Sequence, residues 1–263
     1  MQVPLQLEEL TIESPLSLSK LPKSIGQLKH LQKIVLQNAV LQGVFLPDVV
    51  LRLQQPSASY SGALLRTALP EEFYDLCSLK YLILKYCKSF TGFGDLGKLT
   101  NLQHICLEGC DNFEYLPNSL GNLSNLKYLS LKRCERLNYL PDSLGNLSNL
   151  EYLDLAYCES LLNLTDSLGN LSNLQFLSLS SCKKLKMLPD CLWNLRNLRV
   201  LYFDSCEKLE TLPGSMLSTN IQEIDLFGCK SLKMLPDSLG SLTNLRHLCL
   251  SSCPSLEMLL DSF

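Results

Sequence analysis

The chain repeats one arrangement of hydrophobic and polar positions, in which leucines stand at fixed intervals around a cysteine. Between residues 126 and 149 it reads LKYLSLKRCERLNYLPDSLGNLSN. Leu129 and Leu131 alternate with other side chains, which is the period of a β-strand with one buried side. The pattern therefore predicts a short strand that buries these two leucines and exposes Tyr128, Ser130 and Lys132.

The second half of this unit predicts a short helical segment that returns the chain to the start of the next strand. Pro141 suits the first position of a helix, and Leu144 and Leu147 lie three residues apart on one face. Gly145 shortens the element. We therefore predict a brief α or 3-10 turn after each strand, reached by a right-handed crossover, and we call these segments the returns.

The unit recurs along nearly the whole chain. Eight cysteines repeat at intervals of 23 or 24 residues, and we call them the cysteine ladder: Cys87, Cys110, Cys134, Cys158, Cys182, Cys206, Cys229 and Cys253. Strand segments start at the equivalent positions Leu7, Leu31, Leu79, Leu102, Leu126, Leu150, Leu174, Leu198, Ile221 and Leu245. The gap between Leu31 and Leu79 is 48 residues, twice the period, and predicts one further, degenerate repeat.

These spacings predict one α/β solenoid over residues 1–263, with about 11 repeats and an irregular stretch at 40–68. Its strands would form a parallel sheet on the concave side of an arc, and the returns would lie on the convex side. The chain ends partway through a return, without a polar capping sequence. We therefore expect it to be part of a larger protein.

Composition and cysteine spacing narrow the class of protein. The chain has 46% hydrophobic residues and a formal net charge of -3, which is typical of globular proteins and argues against nucleic-acid binding. It shows no signal peptide and no apolar run long enough to cross a membrane.

One thiol recurring at one structural position is not a disulfide framework, so we expect a reducing, cytoplasmic environment. We also expect the ladder thiols to be buried, inert and free of metal.

Two motifs have the appearance of chemical sites. Residues 92–98, GFGDLGK, match part of a phosphate-binding loop, but Leu99 follows the lysine where such a loop has Ser or Thr. His104 and Cys106 share one strand face, as do His247 and Cys249, yet neither pair has a third group to orient it. We therefore predict no catalytic residues, no enzyme activity and no cofactor.

The residues of the concave face differ from one repeat to the next, because the repeated leucine pattern fixes only the buried positions. We predict that this face binds protein through Tyr81, Tyr128, Tyr152, Phe176, Tyr202, Phe227, Lys132, Asp154, Asp204 and Asp225. Basic residues lie on the earlier strands and acidic residues on the later ones, so the face is electrically dipolar and suits a partner of complementary charge. The alternative is that the aromatic rings only stabilise the sheet as cross-strand pairs, and that the charges are merely solvated.

The repeat resembles the leucine-rich repeat, and its cysteine ladder with Leu140–Leu150, LPDSLGNLSNL, is similar to the carboxy-terminal arm of plant intracellular nucleotide-binding immune receptors. That resemblance implies roles in plant defence, disease resistance and signal transduction. The partner would be a pathogen effector, an altered host protein or the receptor's own nucleotide-binding domain. A stand-alone cytosolic scaffold, or the substrate-recruiting arm of a ligase or kinase, remains an alternative.

Overall fold

The computed structural model describes residues 6–13, 21–38, 69–214 and 220–259. Within these residues, no helix is long and apolar enough to span a membrane. The predicted irregular stretch at 40–68 and the chain end at 260–263 lie outside the described residues.

In the described part of the chain, ten parallel strands form one sheet in chain order, which confirms the predicted solenoid. The strands are β1 (Glu9–Glu13), β2 (Lys33–Gln37), β3 (Tyr81–Lys85), β4 (His104–Cys106), β5 (Tyr128–Ser130), β6 (Tyr152–Asp154), β7 (Phe176–Ser178), β8 (Val200–Tyr202), β9 (Glu223–Asp225) and β10 (His247–Cys249). Each strand begins two residues after the position expected from the sequence. The residue predicted to start each strand therefore precedes it, and from Leu31 to Ile221 this residue is completely buried in the core.

The returns between these strands are short 3-10 helices, in accordance with the second of the two predicted forms. They span Lys23–Gln27, Glu71–Asp75, Leu96–Lys98, Asn118–Asn122, Asp142–Asn146, Asp166–Asn170, Asp190–Asn194 and Asp237–Ser241. Pro141 precedes its helix instead of opening it: its backbone is extended, with ψ 148°, and its carbonyl accepts the Leu144 N–H at 3.0 Å. The proline therefore ends the extended segment and fixes where the turn begins.

Gly145 has a different role from the one predicted. A Cβ atom at this position would lie 2.3 Å from the carbonyl oxygen of Ser167, in the next return. The glycine therefore allows neighbouring returns to approach closely, and does not merely shorten the helix.

The further repeat predicted between Leu31 and Leu79 falls on residues outside the described ones, and the strands on either side of them are neighbours in the sheet. β2 pairs directly with β3 over five residues, from Lys33 opposite Tyr81 to Gln37 opposite Lys85. The thiol of Cys87 also reaches the carbonyl of Leu36 across 51 residues, whereas its equivalents reach back 26 or 27. The chain between β2 and β3 is two periods long, but the two strands are neighbours in the sheet.

The core lies between the sheet and the returns. The inward leucines of the central repeats, such as Leu129, Leu153 and Leu177, are completely buried. Near β3 and β4, Phe90, Phe93 and Phe113 replace leucines, and the rings of Phe90 and Phe113 stack at 5.7 Å. Each repeat buries its apolar side chains against the repeats on both sides, which is why one repeat cannot fold alone.

A second set of inter-repeat contacts runs along the side of the solenoid where the returns end. The Asn149 amide donates to the Ser124 carbonyl at 2.7 Å, and Asn173 makes the equivalent bond to Ser148 at 2.8 Å. The same bond recurs at Asn101, Asn125, Asn197 and Asn220. The asparagine of the repeated Asn-Leu pair therefore joins each repeat to the preceding one.

Candidate protein-binding surface

An unbroken row of six rings crosses the concave face from β3 to β8. We call it the aromatic row: Tyr81, His104, Tyr128, Tyr152, Phe176 and Tyr202. Its middle is regular, with ring centroids 4.3 Å apart between Tyr128 and Tyr152 and again between Tyr152 and Phe176. The in-register parallel strands place these side chains directly opposite one another, so the rings stack face to face.

The stacking determines what the row can bind. Both faces of Tyr128 and Tyr152 are covered by neighbouring rings, with interplanar angles of 3° to 7°. A planar ligand such as a nucleobase therefore cannot stack on them without separating the row. The row instead presents ring edges and hydroxyl groups to the solvent. Such an edge-on surface suits a protein partner, because aromatic side chains supply a large, rigid contact area.

The row changes direction at β8. The residue opposite Phe176 is Val200, which has no ring, and the ring of Tyr202 meets Phe176 edge-on at 5.6 Å. Tyr81 at the other end is 40% exposed, whereas the four rings from His104 to Phe176 are half-buried. Phe227 is 46% exposed on the turn that follows β9.

His104 belongs to the row, although it is not among the predicted binding residues. Its ring stacks on Tyr128 with centroids 3.9 Å apart. Burial, and then the nearby charge of Lys85, lower the pKa of His104 below its ordinary value. The histidine is therefore an uncharged member of the stack at neutral pH. Its place between two tyrosines in the repeat register was the available sequence signal.

Asp154 does not have the exposure that the sequence predicted: it is only 7% exposed. Ser130 and Cys106, its neighbours in register, are also buried. These short side chains lie beside the tall rings of the aromatic row, which shield them from solvent. Burial raises the pKa of Asp154, while the Ala156 N–H, donating to its carboxylate at 2.9 Å, acts in the opposite direction. Asp154 thus forms part of the floor of the concave face.

The floor continues as a polar network over β7 and β8. The hydroxyls of Ser178 and Ser180 lie 3.1 Å apart, and Ser180 donates to the carboxylate of Asp204. Burial, and then the charge of Asp154, also raise the pKa of Tyr152, so its hydroxyl stays protonated. This arrangement offers carboxylates and hydroxyls beside apolar ring edges, which is the mixture found where proteins recognise proteins.

Some of the basic residues on the earlier strands are neutralised within the chain. Lys85 forms an ion pair with Glu108 at 3.0 Å, and Lys127 forms one with Glu151 at 3.2 Å. Lys132 is half-buried on the turn after β5. Asp204 and Asp225 are also half-buried, and Asp225 accepts the Phe227 N–H at 2.8 Å.

The cysteine ladder lies inside the solenoid, and its thiols connect successive repeats. The Cys134 thiol donates to the Leu107 carbonyl at 3.2 Å, and Cys158 makes the same contact with Leu131. The first seven ladder thiols are buried, while Cys253 is partly exposed. Burial raises the pKa of Cys229 to about 12. The ladder position therefore holds a protonated hydrogen-bond donor.

The two motifs that suggested chemistry have structural explanations. Leu96 and Leu99 of the glycine-rich segment are core residues, and a Cβ atom on Gly97 would lie 2.7 Å from the Ser119 carbonyl oxygen. Burial raises the pKa of Cys106, which lies next to His104 in the concave face. In the part of the chain that the structure describes, no group of three or more His, Cys, Asp or Glu side chains could hold a metal ion.

Comparisons with known proteins place this geometry among leucine-rich repeats. Residues 142–262 match a family model described as a leucine-rich repeat region. The leucine-rich repeat domain of the type III effector XopL is 24% identical, with a TM-score of 0.74 over 92% of this chain and 75% of that chain. A leucine-rich repeat protein of Leptospira interrogans is 22% identical, with a TM-score of 0.49 over 94% and 78% of the two chains. A search of curated proteins finds no significant match. The likeness to the XopL domain shows the fold.

Proposed function

We propose that this chain is a protein-recognition module that binds its partner through the concave face. The observation that carries the proposal is the aromatic row. The leucine core lies on the opposite side of the sheet, so the six rings are not needed to fill the interior. A rigid row of ring edges with charged groups at both ends has the composition of a protein interface.

We further propose that the module is the ligand-sensing and autoinhibitory repeat arm of a plant intracellular immune receptor. The proposal is supported by the resemblance of Leu140–Leu150 and the cysteine ladder to such arms. All twelve cysteines are free thiols, which suits a cytoplasmic location. The partner is then a pathogen effector, an altered host protein or the receptor's own nucleotide-binding domain.

The test begins with affinity capture from a plant-cell extract, identification of the captured protein and titration of that protein in purified form. The double variant Tyr152→Ala with Phe176→Ala should weaken binding at least about tenfold, because aromatic anchors commonly contribute about 2 kcal/mol or more. The control variant, Asn146→Ala with Asn170→Ala, changes two exposed residues of the returns and should leave the affinity unchanged.

Thermal unfolding of both variants shows whether each still folds. If the control variant abolishes binding while the folded concave variant binds normally, the concave face is not the binding surface. The aromatic row would then act as a set of cross-strand pairs that stabilise the sheet.

A further inference from the structure

Within the concave face, the eight strands from β2 to β9 are divided into halves of opposite charge; they are flanked by β1, with the acidic residues Glu8, Glu9 and Glu13, and by β10, with the basic residue Arg246. Six basic residues and one acidic residue lie on or beside β2 to β5, whereas five acidic residues and one basic residue lie on or beside β6 to β9. The basic residues are Lys33, Lys80, Lys85, Lys127, Lys132 and Arg133. The acidic residues of the other half are Glu151, Asp154, Asp204, Glu223 and Asp225.

Ion pairs within the chain cancel only part of this separation. They are Lys33 with Glu9 at 2.7 Å, Lys85 with Glu108 and Lys127 with Glu151. Among the residues that the structure describes, three cations of the first half form no ion pair with a carboxylate: Lys80, Lys132 and Arg133. Among the described residues, four carboxylates of the second half likewise form no ion pair with a basic side chain: Asp154, Asp204, Glu223 and Asp225.

The acidic end has a defined geometry around the last ring of the row. Glu223 and Asp225 lie on β9, opposite Val200 and Tyr202 of β8. Burial, and then the neighbouring Glu223 carboxylate, raise the pKa of Tyr202. An open depression of about 390 Å³ lies between β9 and β10 and is lined by Glu223, Ile224, Asp225, Arg246, His247, Leu248 and Cys249. A long side chain that enters this depression can therefore reach the carboxylates of Glu223 and Asp225.

We propose that the concave face binds one extended segment of a partner protein that crosses the strands, with an acidic end over β3 to β5, an apolar middle on the aromatic row and a basic end over β8 and β9. This inference rests on the proposed function and adds the chemistry and direction of the bound segment. From β5 to β9 there are four strand steps, roughly 19 Å, which about six residues of extended chain can span. Charge complementarity then sets the direction of binding and accelerates association.

The test uses synthetic peptides of fixed composition. The block peptide has four Glu residues, a six-residue apolar spacer containing Leu and Ser, and four Arg residues. The mixed peptide has the same residues with the charges alternating, and two further peptides carry only the acidic or only the basic block with the spacer. We expect the block peptide to bind about tenfold more tightly than the mixed peptide at low salt, and the difference to shrink near 1 M salt, where charges are screened within about 3 Å.

Two neutralising variants assign the effect to the two ends. Lys80→Gln with Lys132→Gln removes charge at the basic end, and Glu223→Gln with Asp225→Asn removes it at the acidic end while retaining an oxygen acceptor for the Phe227 N–H. Each should reduce the preference for the block peptide several-fold. The control, Lys184→Gln with Asp190→Asn, changes exposed residues away from the concave face and should have no effect.

Three results would overturn the proposal: equal affinity for the block and mixed peptides, tighter binding of a single-sign peptide than of the block peptide, or an undiminished preference in both end variants. None of these results would contradict the proposed function, because that proposal depends on the aromatic row and is tested with the captured protein. Weaker binding of every peptide to the Tyr152 and Phe176 double variant, with the preference for the block peptide retained, would support the proposed contact of the apolar middle with the aromatic row.

Discussion

At the ladder position, a side chain must be short enough to fit beneath the turn that leaves the strand and must donate one hydrogen bond. Cysteine meets both requirements, because its thiol reaches a carbonyl of the preceding repeat at about 3.2 Å in the central repeats. A thiolate could not donate this bond, and burial disfavours its charge. The residue that sets the sequence period is therefore structural.

We expect thiol labelling of the native protein to separate the cysteines by exposure. Cys77 is exposed and should react at once, whereas Cys191, Cys249 and Cys253 are partly covered and should react more slowly. The other eight cysteines are buried and should react only on unfolding, because the reactive form is the thiolate. Mass spectrometry of the labelled peptides gives the order. Rapid labelling of Cys134 or Cys158 in the folded chain would contradict this assignment.

His104 gives the stability of the fold a pH dependence of known sign. Its folded pKa lies below the ordinary value of 6.5, so on acidification the unfolded chain takes up this proton first. The stabilising contribution of neutral His104 is therefore present above pH 6.5 and is lost as the pH falls from there toward the folded pKa. His104→Phe keeps a ring in the row and should flatten the dependence of unfolding free energy on pH in this window. Equal slopes for the variant and the wild type, measured by denaturant titration, would show that His104 does not contribute.

At the scale of the elements, the strand leucines carry most of the packing. Leu153→Ala, at a completely buried position of β6, should lower the free energy of unfolding by about 2 to 5 kcal/mol through lost burial and a cavity. The matched control is Leu162→Ala, the same truncation at a residue that is 51% exposed, which should change stability by about 0.5 kcal/mol or less. Denaturant midpoints measure both. Equal losses would mean that the assignment of buried and exposed leucines is wrong.

The asparagine contacts test how successive repeats are joined. Asn149→Ala removes the 2.7 Å bond to the Ser124 carbonyl and should cost about 0.5 to 1.5 kcal/mol. Asn146→Ala alters an exposed asparagine three residues earlier in the same repeat and should cost less. A nearest-neighbour analysis of denaturant unfolding assigns the loss to the interface or to the repeat itself. No difference between the two variants would mean that these bonds do not stabilise the stack.

At the scale of the molecule, the sequence predicts the solenoid because each repeat carries the same apolar frame. It could not predict the direct pairing of β2 with β3, since a gap of two periods is also what an additional repeat would produce. The sequence also missed the burial of Asp154. Alternation along a strand assigns a side chain to a face, but how deeply it is buried depends on the height of its neighbours, here the rings of Tyr128 and Tyr152.

The aromatic row was predictable in part. The third strand position carries rings on successive repeats, so Tyr128, Tyr152 and Phe176 were recognised together. Their face-to-face stacking and the diagonal step to Tyr202 depend on ring orientation, which is a property of the folded sheet. The roles of these residues in binding stay predictions.

Hydroxyl-radical footprinting of the chain with and without its captured partner tests the central claim, recognition through the concave face, most directly. Binding should reduce oxidation of Tyr128, Tyr152 and Phe176, whose ring edges face the solvent. Tyr139 and Met187, which are 52% and 65% exposed outside the aromatic row, serve as internal controls and should be oxidised equally in both states. Protection of Tyr139 and Met187 with unchanged oxidation of the aromatic row would contradict the account.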